Sequence, residues 1–172
     1  MRHAHAMDAG MIRAPFFAAV SLAALAALAS PAAAQKRPLP YWASIAAGKA
    51  MMRTGPERTY PATWLYQRRD LPVRVLQVMG AWRRVQEQDG TSGWMLATLL
   101  SARRTAVVQG GVQSVRDEPS AGARMLWRVE PGVVGRISHC DGRWCRFEMA
   151  DKKGYIEQTG IWGTDAGETI AE

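Results

Sequence analysis

Few side chains in this sequence have the chemistry that catalysis or metal binding requires. The histidines are His3, His5 and His139, and the first two lie in a segment that we expect to be removed. His139 adjoins Cys140, but neighbouring residues of a strand point to opposite faces, so a Cys/His nucleophilic pair is not expected. A structural zinc site needs about four ligands, and His139, Cys140 and Cys145 are too few. The sequence therefore predicts no enzyme, no metal site and no cofactor.

The two cysteines are better explained as a pair. Cys140 and Cys145 flank Asp141-Gly142-Arg143-Trp144, and a hairpin with this loop would place them opposite each other. Closing so short a loop stabilises a domain by roughly 2 kcal/mol in the chain-entropy model, and disulfides persist outside the cytoplasm. We predict a Cys140–Cys145 disulfide. The alternative is two free thiols, one of them buried.

A group of aromatic and arginine side chains in the first half of the chain has the chemistry of a ligand surface. Aromatic faces rimmed by arginine can hold a peptide or a sugar together with its carboxylate. The candidate ligand-binding residues are Arg53, Arg58, Tyr60, Trp64, Tyr66, Arg68 and Arg69.

Short strands must position these residues. Runs of four to eight residues between Gly, Pro and Asp turns indicate an all-β protein. The phrase Gly80-Ala81-Trp82 returns as Gly142-Arg143-Trp144, with its tryptophan 62 residues later, and Gly93-Trp94 returns as Gly154-Tyr155. A phrase that recurs at this distance indicates two copies of one small β domain.

The repeat sets the expected boundaries. The predicted segments are a signal peptide at 1–34, a linker at 35–44, repeats at 45–101 and 106–162, and a disordered tail at 163–172. Trp82, Trp94 and Trp144 belong to the repeating frame, so we predict that they pack in the two cores. Trp42 and Trp162 flank the repeats and are expected to plug the ends of the domains.

The first 34 residues have the pattern of a secretory signal peptide. Arg2 and Arg13 precede or border an apolar run over Phe16–Ala29, and Ala32-Ala33-Ala34 supplies the small residues of a cleavage site. The run is too short for an ordinary membrane span, and no second long apolar run follows. We expect an exported, periplasmic protein with no stable membrane insertion after cleavage; the alternative is an uncleaved N-terminal anchor.

Charge is distributed unevenly along the chain. Residues 36–104 contain 12 Lys or Arg and 4 acids, a net charge of +8, whereas residues 105–172 have a net charge of −2. The basic half would attract anions through its summed field. Because an exported chain rarely meets nucleic acid, the expected partners are anionic wall polymer, lipid head groups or an acidic protein. The alternative is that the charge serves solubility alone.

The first copy resembles the bacterial SH3-like (SH3b) domain family. It contains, in the family's order, Arg53-Thr54-Gly55-Pro56, Tyr60-Pro61, Gly80-Ala81-Trp82 and Gly93-Trp94. The resemblance implies two tandem SH3-like β-barrels, each small and five-stranded. It also implies a binding role, often towards cell-wall peptides or partner proteins.

The second copy departs from this pattern. It has Arg116-Asp117-Glu118-Pro119 without the turn glycine, and Tyr155 replaces the closing tryptophan. Its Cys140…Trp144-Cys145 resembles a subset of exported family members. We matched Met125-Leu126-Trp127 in this copy to Trp64-Leu65-Tyr66 in the first.

Two functions are compatible with these features. The first is an exported, non-catalytic binding module that contacts peptidoglycan or another anionic envelope component. The second is a structural or regulatory module that docks another envelope protein, with the tandem barrels acting as one rigid block.

Overall fold

The computed structural model of this chain describes residues 37–171, so the predicted signal peptide at 1–34 lies outside the described residues. Within residues 37–171 the regular structure consists of β-strands and two one-turn 3₁₀ helices, which confirms the all-β fold class. No helix in this range has the length and hydropathy that a membrane crossing requires.

Each copy folds into an antiparallel sheet of short strands. The strands of the first copy are β1 Tyr41–Ile45, β2 Ala50–Arg53, β3 Ala62–Tyr66, β4 Pro72–Met79, β5 Trp82–Gln86, β6 Ser92–Leu96 and β7 Leu100–Ser101. Those of the second copy are β8 Thr105–Val108, β9 Gln113–Arg116, β10 Met125–Val129, β11 Val134–Asp141, β12 Trp144–Met149, β13 Lys152–Glu157, β14 Ile161–Trp162 and β15 Thr169–Ile170. The 3₁₀ helices, Ala97–Leu99 and Gln158–Gly160, directly precede β7 and β14.

The two sheets have the same topology. The strand order is β3-β2-β6-β5-β4-β1-β7 in the first copy and β10-β9-β13-β12-β11-β8-β14 in the second, with β15 added against β11. Each strand of the first copy therefore has a counterpart in the second, and the tandem repeat is confirmed. We call the two copies barrel 1 and barrel 2.

A shared glycine holds the same close approach in both barrels. A Cβ atom at Gly93 would lie 2.9 Å from the carbonyl oxygen of Arg53, and one at Gly154 would lie 2.7 Å from that of Arg116. Both distances are too short for a side chain. The recurrence of this glycine at β6 and β13 therefore reflects the packing of these strands against β2 and β9.

The two barrels fill equivalent cores with differently sized residues. Val73 on β4 and Val85 on β5 are fully buried in barrel 1. Their counterparts are Gly135 on β11 and Phe147 on β12, and a Cβ atom at Gly135 would collide with the Phe147 ring. The larger residue on one strand is accommodated by the smaller one on its neighbour, as close packing requires.

The predicted core tryptophans differ in burial. Trp94 is 9% exposed and Trp144 is 5% exposed. Trp82 is only partly buried, so its assignment to the core is wrong. Trp94 and Trp144, although buried, also lie outside the core clusters of their barrels. Trp82 begins β5 at the end of the β4–β5 hairpin, whereas the equivalent hairpin end in barrel 2, at Trp144, has β15 paired beside it.

The linker predicted at 35–44 extends too far. Tyr41–Ile45 forms β1, which lies between β4 and β7 in the sheet. Trp42, Ala43 and Ser44 are buried together with Ile45. These five residues pair with a strand on each side and contribute to the core. The sequence did not indicate a strand here because the segment is short and directly follows two prolines.

The disordered tail predicted at 163–172 is also wrong for the described residues 163–171. β15 pairs with the end of β11. Arg104 donates from its two Nη atoms to the Glu168 carboxylate at 2.7 and 2.9 Å and to the Gly163 carbonyl at 2.9 Å. Polar contacts rather than apolar burial hold this segment, so a search for hydrophobic periodicity does not detect it.

The two barrels contact each other directly. The rings of Trp42 and Trp162 meet edge to face with centroids 4.8 Å apart, so these residues do not plug the ends of separate domains as expected. Arg74 of barrel 1 lies over the Trp42 ring and pairs with Asp165 at 2.9 Å. These contacts, together with the short connection between β7 and β8, join the barrels into one block.

Cys140 and Cys145 are joined by a disulfide at the position that the hairpin spacing predicts. They face each other across β11 and β12, and both are buried. The equivalent cross-strand pair in barrel 1 is Val78 and Arg83. The fold therefore forms this hairpin without a disulfide, and the bond adds stability to barrel 2.

Replacing both cysteines with alanine should lower the free energy of unfolding by about 2 kcal/mol, because the short loop then gains conformational freedom in the unfolded chain. Urea unfolding monitored by tryptophan fluorescence measures this change. A reductant should destabilise the original protein similarly and leave the double variant unchanged. Two reactive thiols in the protein purified without reductant would contradict the disulfide.

Replacing Glu168 with Gln should lower thermal stability at neutral pH by about 1 kcal/mol, because the pair with Arg104 is partly exposed. Burial acts to raise the pKa of Glu168, but hydrogen bonds and charge from Arg104 and the Asp165 backbone N–H outweigh it, so the pKa lies below its usual value. A depressed carboxyl pKa stabilises the fold above the unfolded pKa, and this stability is lost as the pH falls through the folded pKa.

Thermal unfolding between pH 7 and pH 2 tests the role of Glu168. The difference between the original protein and the E168Q variant should disappear at the acidic end of this range. The exposed Glu130 provides the control, since its replacement with Gln should change the thermal midpoint little at any pH. A difference that persists unchanged at pH 2 would contradict the role of the carboxylate.

Candidate functional site

The loop between β2 and β3, residues 54–61, is held closed from within barrel 1. Arg53 donates from Nη1 to the carbonyl oxygen of Tyr60 at 2.7 Å, and the Thr54 N–H donates to the Pro61 carbonyl at 3.1 Å. The Tyr60 ring packs on Gly55, where a Cβ atom would lie 2.5 Å from three ring carbons. Arg53 is therefore a positioning residue, and the turn glycine makes room for the tyrosine.

Barrel 2 repeats the arginine contact without the aromatic ring. Arg116 donates to the carbonyl oxygen of Ala123 at 2.6 Å, again seven residues further on. Glu118 replaces the turn glycine, and Ala123 replaces the tyrosine. Because barrel 2 has no tyrosine ring at this position, its turn does not need a glycine. The glycine and the tyrosine are therefore both present in barrel 1 and both absent from barrel 2.

Three of the predicted residues, Arg58, Tyr60 and Trp64, remain exposed in the β2–β3 loop and on β3 of barrel 1. Trp64 is 60% exposed and Tyr60 is 43% exposed. Arg58 is exposed and forms no ion pair with another residue of the range 37–171. Trp64 lies on β3, the edge strand of its sheet. We use the name "exposed aromatic face" for these three residues below.

The counterpart of Trp64 in barrel 2 is Trp127, which corrects the match made from the sequence. Met52 faces Trp64 across β2 and β3, and Val115 faces Trp127 across β9 and β10. The match of Met125-Leu126-Trp127 to Trp64-Leu65-Tyr66 was therefore two residues out of register. Trp127 is partly buried against the core of barrel 2, so the two copies use equivalent tryptophans differently.

Tyr66 is removed from the surface by a hydrogen bond to Glu87. Its hydroxyl donates to the Glu87 carboxylate, and the site is partly buried. Burial raises the pKa of Tyr66, and the hydrogen bond and charge of Glu87 raise it further. Burial also raises the pKa of Glu87, against the lowering effect of the Tyr66 hydrogen bond. Tyr66 therefore stays neutral and acts as a donor within barrel 1.

The remaining two candidates also make internal contacts. Arg69 donates from Nε to the Ala46 carbonyl at 2.7 Å. Arg68 donates to the Gly132 carbonyl at 3.2 Å and so reaches from barrel 1 to barrel 2. The structure thus separates the predicted group of seven: Arg58, Tyr60 and Trp64 stay exposed, while the other four make internal contacts.

Two clefts were not indicated by the sequence. One lies on barrel 1, has a volume of about 200 Å³ and is bordered by Arg37 and Arg83. The other lies on barrel 2, has a volume of about 440 Å³ and is bordered by Arg143 and Trp162 together with the tail. Each cleft combines residues far apart in the chain, so spacing alone gives no signal for it. Within residues 37–171 no group of three His, Cys, Asp or Glu side chains could hold a metal.

Comparisons with known proteins identify both copies with one family. The family model of the bacterial SH3 domain matches residues 46–102 and again residues 109–163. The comparison with curated proteins found no match.

Among solved structures, the chain is similar to NlpC2 and NlpC1 from Trichomonas vaginalis. Each has 15% sequence identity, with TM-scores of 0.31 and 0.30, and the match covers 74% and 76% of this chain and 49% and 48% of theirs. An NlpC/P60 family protein from Bacillus cereus has 14% identity and a TM-score of 0.32, with 70% of this chain and 55% of that chain covered. The chain spans about half the length of these structures.

Replacing Gly55 with Ala should displace the Tyr60 ring, because the new methyl group would overlap it. We expect a loss of about 1 kcal/mol in the free energy of unfolding and a change in the NMR shifts of the Tyr60 ring. The same replacement in a Tyr60→Ala background should cost little, since the clash is then absent. An equal cost in both backgrounds would show that the glycine serves another purpose.

Proposed function

The chain belongs to the bacterial SH3 domain family, and from this membership we propose that it is an exported, non-catalytic binding module of the cell envelope. Its exposed aromatic face contacts peptidoglycan or another anionic envelope component. The signal-peptide pattern of the first 34 residues supports export to the periplasm.

The exposure of Trp64 is the observation that carries this proposal. A tryptophan ring has a large apolar surface, and an edge strand that leaves it 60% exposed gains little from its burial. The neighbouring Tyr60 is supported from below by Gly55, which fixes the position of its ring. The two exposed aromatic rings can stack on a sugar or peptide, and Arg58 can supply a positive charge for its carboxylate.

The charge of barrel 1 supports an anionic partner. The net charge of +8 over residues 36–104 lies on the barrel that presents the exposed aromatic face, whereas residues 105–172 have a net charge of −2. Such a field raises the local concentration of an anionic polymer and is screened by salt. Wall binding should therefore weaken as the ionic strength rises.

A second candidate function is the docking of another envelope protein. The rigid connection between the barrels, with Trp42 against Trp162 and Arg74 paired with Asp165, suits a structural module. Leu65 is 48% exposed on the same edge strand as Trp64, but it points to the opposite face, where it offers separate apolar contact area for a protein surface. Cross-linking in the envelope would distinguish a protein partner from the wall.

Sedimentation with purified cell wall tests the proposed function. The protein should sediment with the wall at low salt and less at high salt, and Trp64→Ala should weaken the binding about tenfold or more, since exposed aromatic anchors dominate such interfaces. Leu126→Ala is the matched control, because Leu126 is 39% exposed on the equivalent strand of barrel 2 and should not affect binding. Failure to sediment at either salt concentration would reject wall binding.

A further inference from the structure

We propose that the cleft bordered by Arg37 and Arg83 on barrel 1 binds a small organic carboxylate, of the kind found at the C-terminus of a short peptide. The cleft is lined by Arg37, by residues of β1 and β5, and by the segment around β7. Tyr41 and Ser101 form part of its wall, and its volume is about 200 Å³. It shares no residue with the exposed aromatic face.

The electrostatics of the cleft favour an anion. Arg37 and Arg83 both line it, and no lining residue is acidic. Within residues 37–171 neither arginine forms an ion pair, although six other arginines of the same range do. An anion bound in the cleft would be attracted by both positive charges. Arg37 and Arg83 therefore suit the binding of an anion better than a stabilising contact within the protein.

Both guanidinium groups are oriented by the protein. Arg83 donates from Nη1 to the carbonyl oxygens of Gly80 and Trp82, each at 2.9 Å, which leaves its other N–H groups for a ligand. Arg37 lies over the Tyr41 ring, with its Cζ atom 5.6 Å from the ring centroid. Stacking on an aromatic face leaves the edge of the guanidinium free for hydrogen bonds. Such orientation lowers the entropy lost when a carboxylate binds.

The remaining walls indicate which anion fits. Ala43, Ala97, Leu100 and Ala102 supply small apolar surfaces. A free phosphate would leave these surfaces without a partner, whereas a carboxylate attached to a small apolar residue would cover them. Ser101 is a polar residue of the same wall. The cleft is thus matched to a C-terminal residue such as alanine.

The test uses the chain from Gln35 onward and a short probe peptide, N-acetyl-Ala-Ala, titrated by NMR or calorimetry. The peptide with a free carboxylate should bind. Its C-terminal amide should bind at least about tenfold more weakly, because it lacks the charge that strengthens the hydrogen bonds. Inorganic phosphate should also bind at least about tenfold more weakly, because it makes no apolar contact. Equal binding of the amide would overturn the proposal. Tighter binding of phosphate alone would assign the cleft to phosphate and would also overturn it.

Variants localise the binding to the cleft. Arg83→Gln and Arg37→Gln should each weaken binding of the peptide about tenfold. Because Arg83 also bonds two carbonyls of its own hairpin, Arg37→Gln keeps the test decisive if the Arg83 variant is unstable. Arg84→Gln is the matched control: Arg84 is the next residue of β5, is exposed and does not line the cleft. Unchanged affinity in the Arg37 variant would overturn the proposal.

The outcome is separable from that of the wall-binding experiment. Trp64→Ala should leave the affinity for N-acetyl-Ala-Ala unchanged, since Trp64 lies on β3 and the cleft is formed around β1, β5 and β7. Loss of peptide binding in this variant would show that the two surfaces form one site, and it would overturn the assignment to the cleft.

Discussion

The contact between Trp42 and Trp162 is the interaction on which the arrangement of the two barrels depends. Each barrel has about 60 residues, a size at which one core is only marginally stable alone. The edge-to-face rings bury apolar surface between the barrels, and Arg74 links the Trp42 ring to Asp165 of the tail. The tail is in turn fixed by Arg104, which lies in the joint, the short segment between β7 and β8. The joint, the tail and both barrels therefore stabilise one another.

The two copies share one backbone topology but differ in their core and surface side chains. Strand order and register are the same in both barrels, yet Val73 and Val85 are replaced by Gly135 and Phe147 without a change in topology. Complementary changes in volume preserve the packing density of a core. The surface residues do not show such complementary changes, because only barrel 1 has Tyr60 packed on a turn glycine. The divergence between the copies places the exposed aromatic face on only one of them.

Much of the fold could be predicted from local signals. Turn residues and short apolar runs indicated the all-β class, and the spacing of Trp82 and Trp144 indicated two copies of one domain. The cysteine spacing indicated the hairpin that the disulfide closes. Trp82 was assigned wrongly to the core because a recurring residue was taken to have a recurring environment. Burial at the end of a hairpin depends on its neighbours, and within residues 37–171 the strand β15 pairs beside the hairpin of barrel 2 and not that of barrel 1.

The sequence by itself determined the strands, the turns, the repeat and the basic character of barrel 1, since these depend on near neighbours and on composition. Only the tertiary structure decided which arginines are available. Arg53 and Arg69 bond backbone carbonyls, whereas Arg58 stays exposed and Arg37 and Arg83 line one cleft. The physical reason is that a guanidinium has the same charge everywhere in a sequence, but its hydrogen-bond partners come from strands distant in the chain.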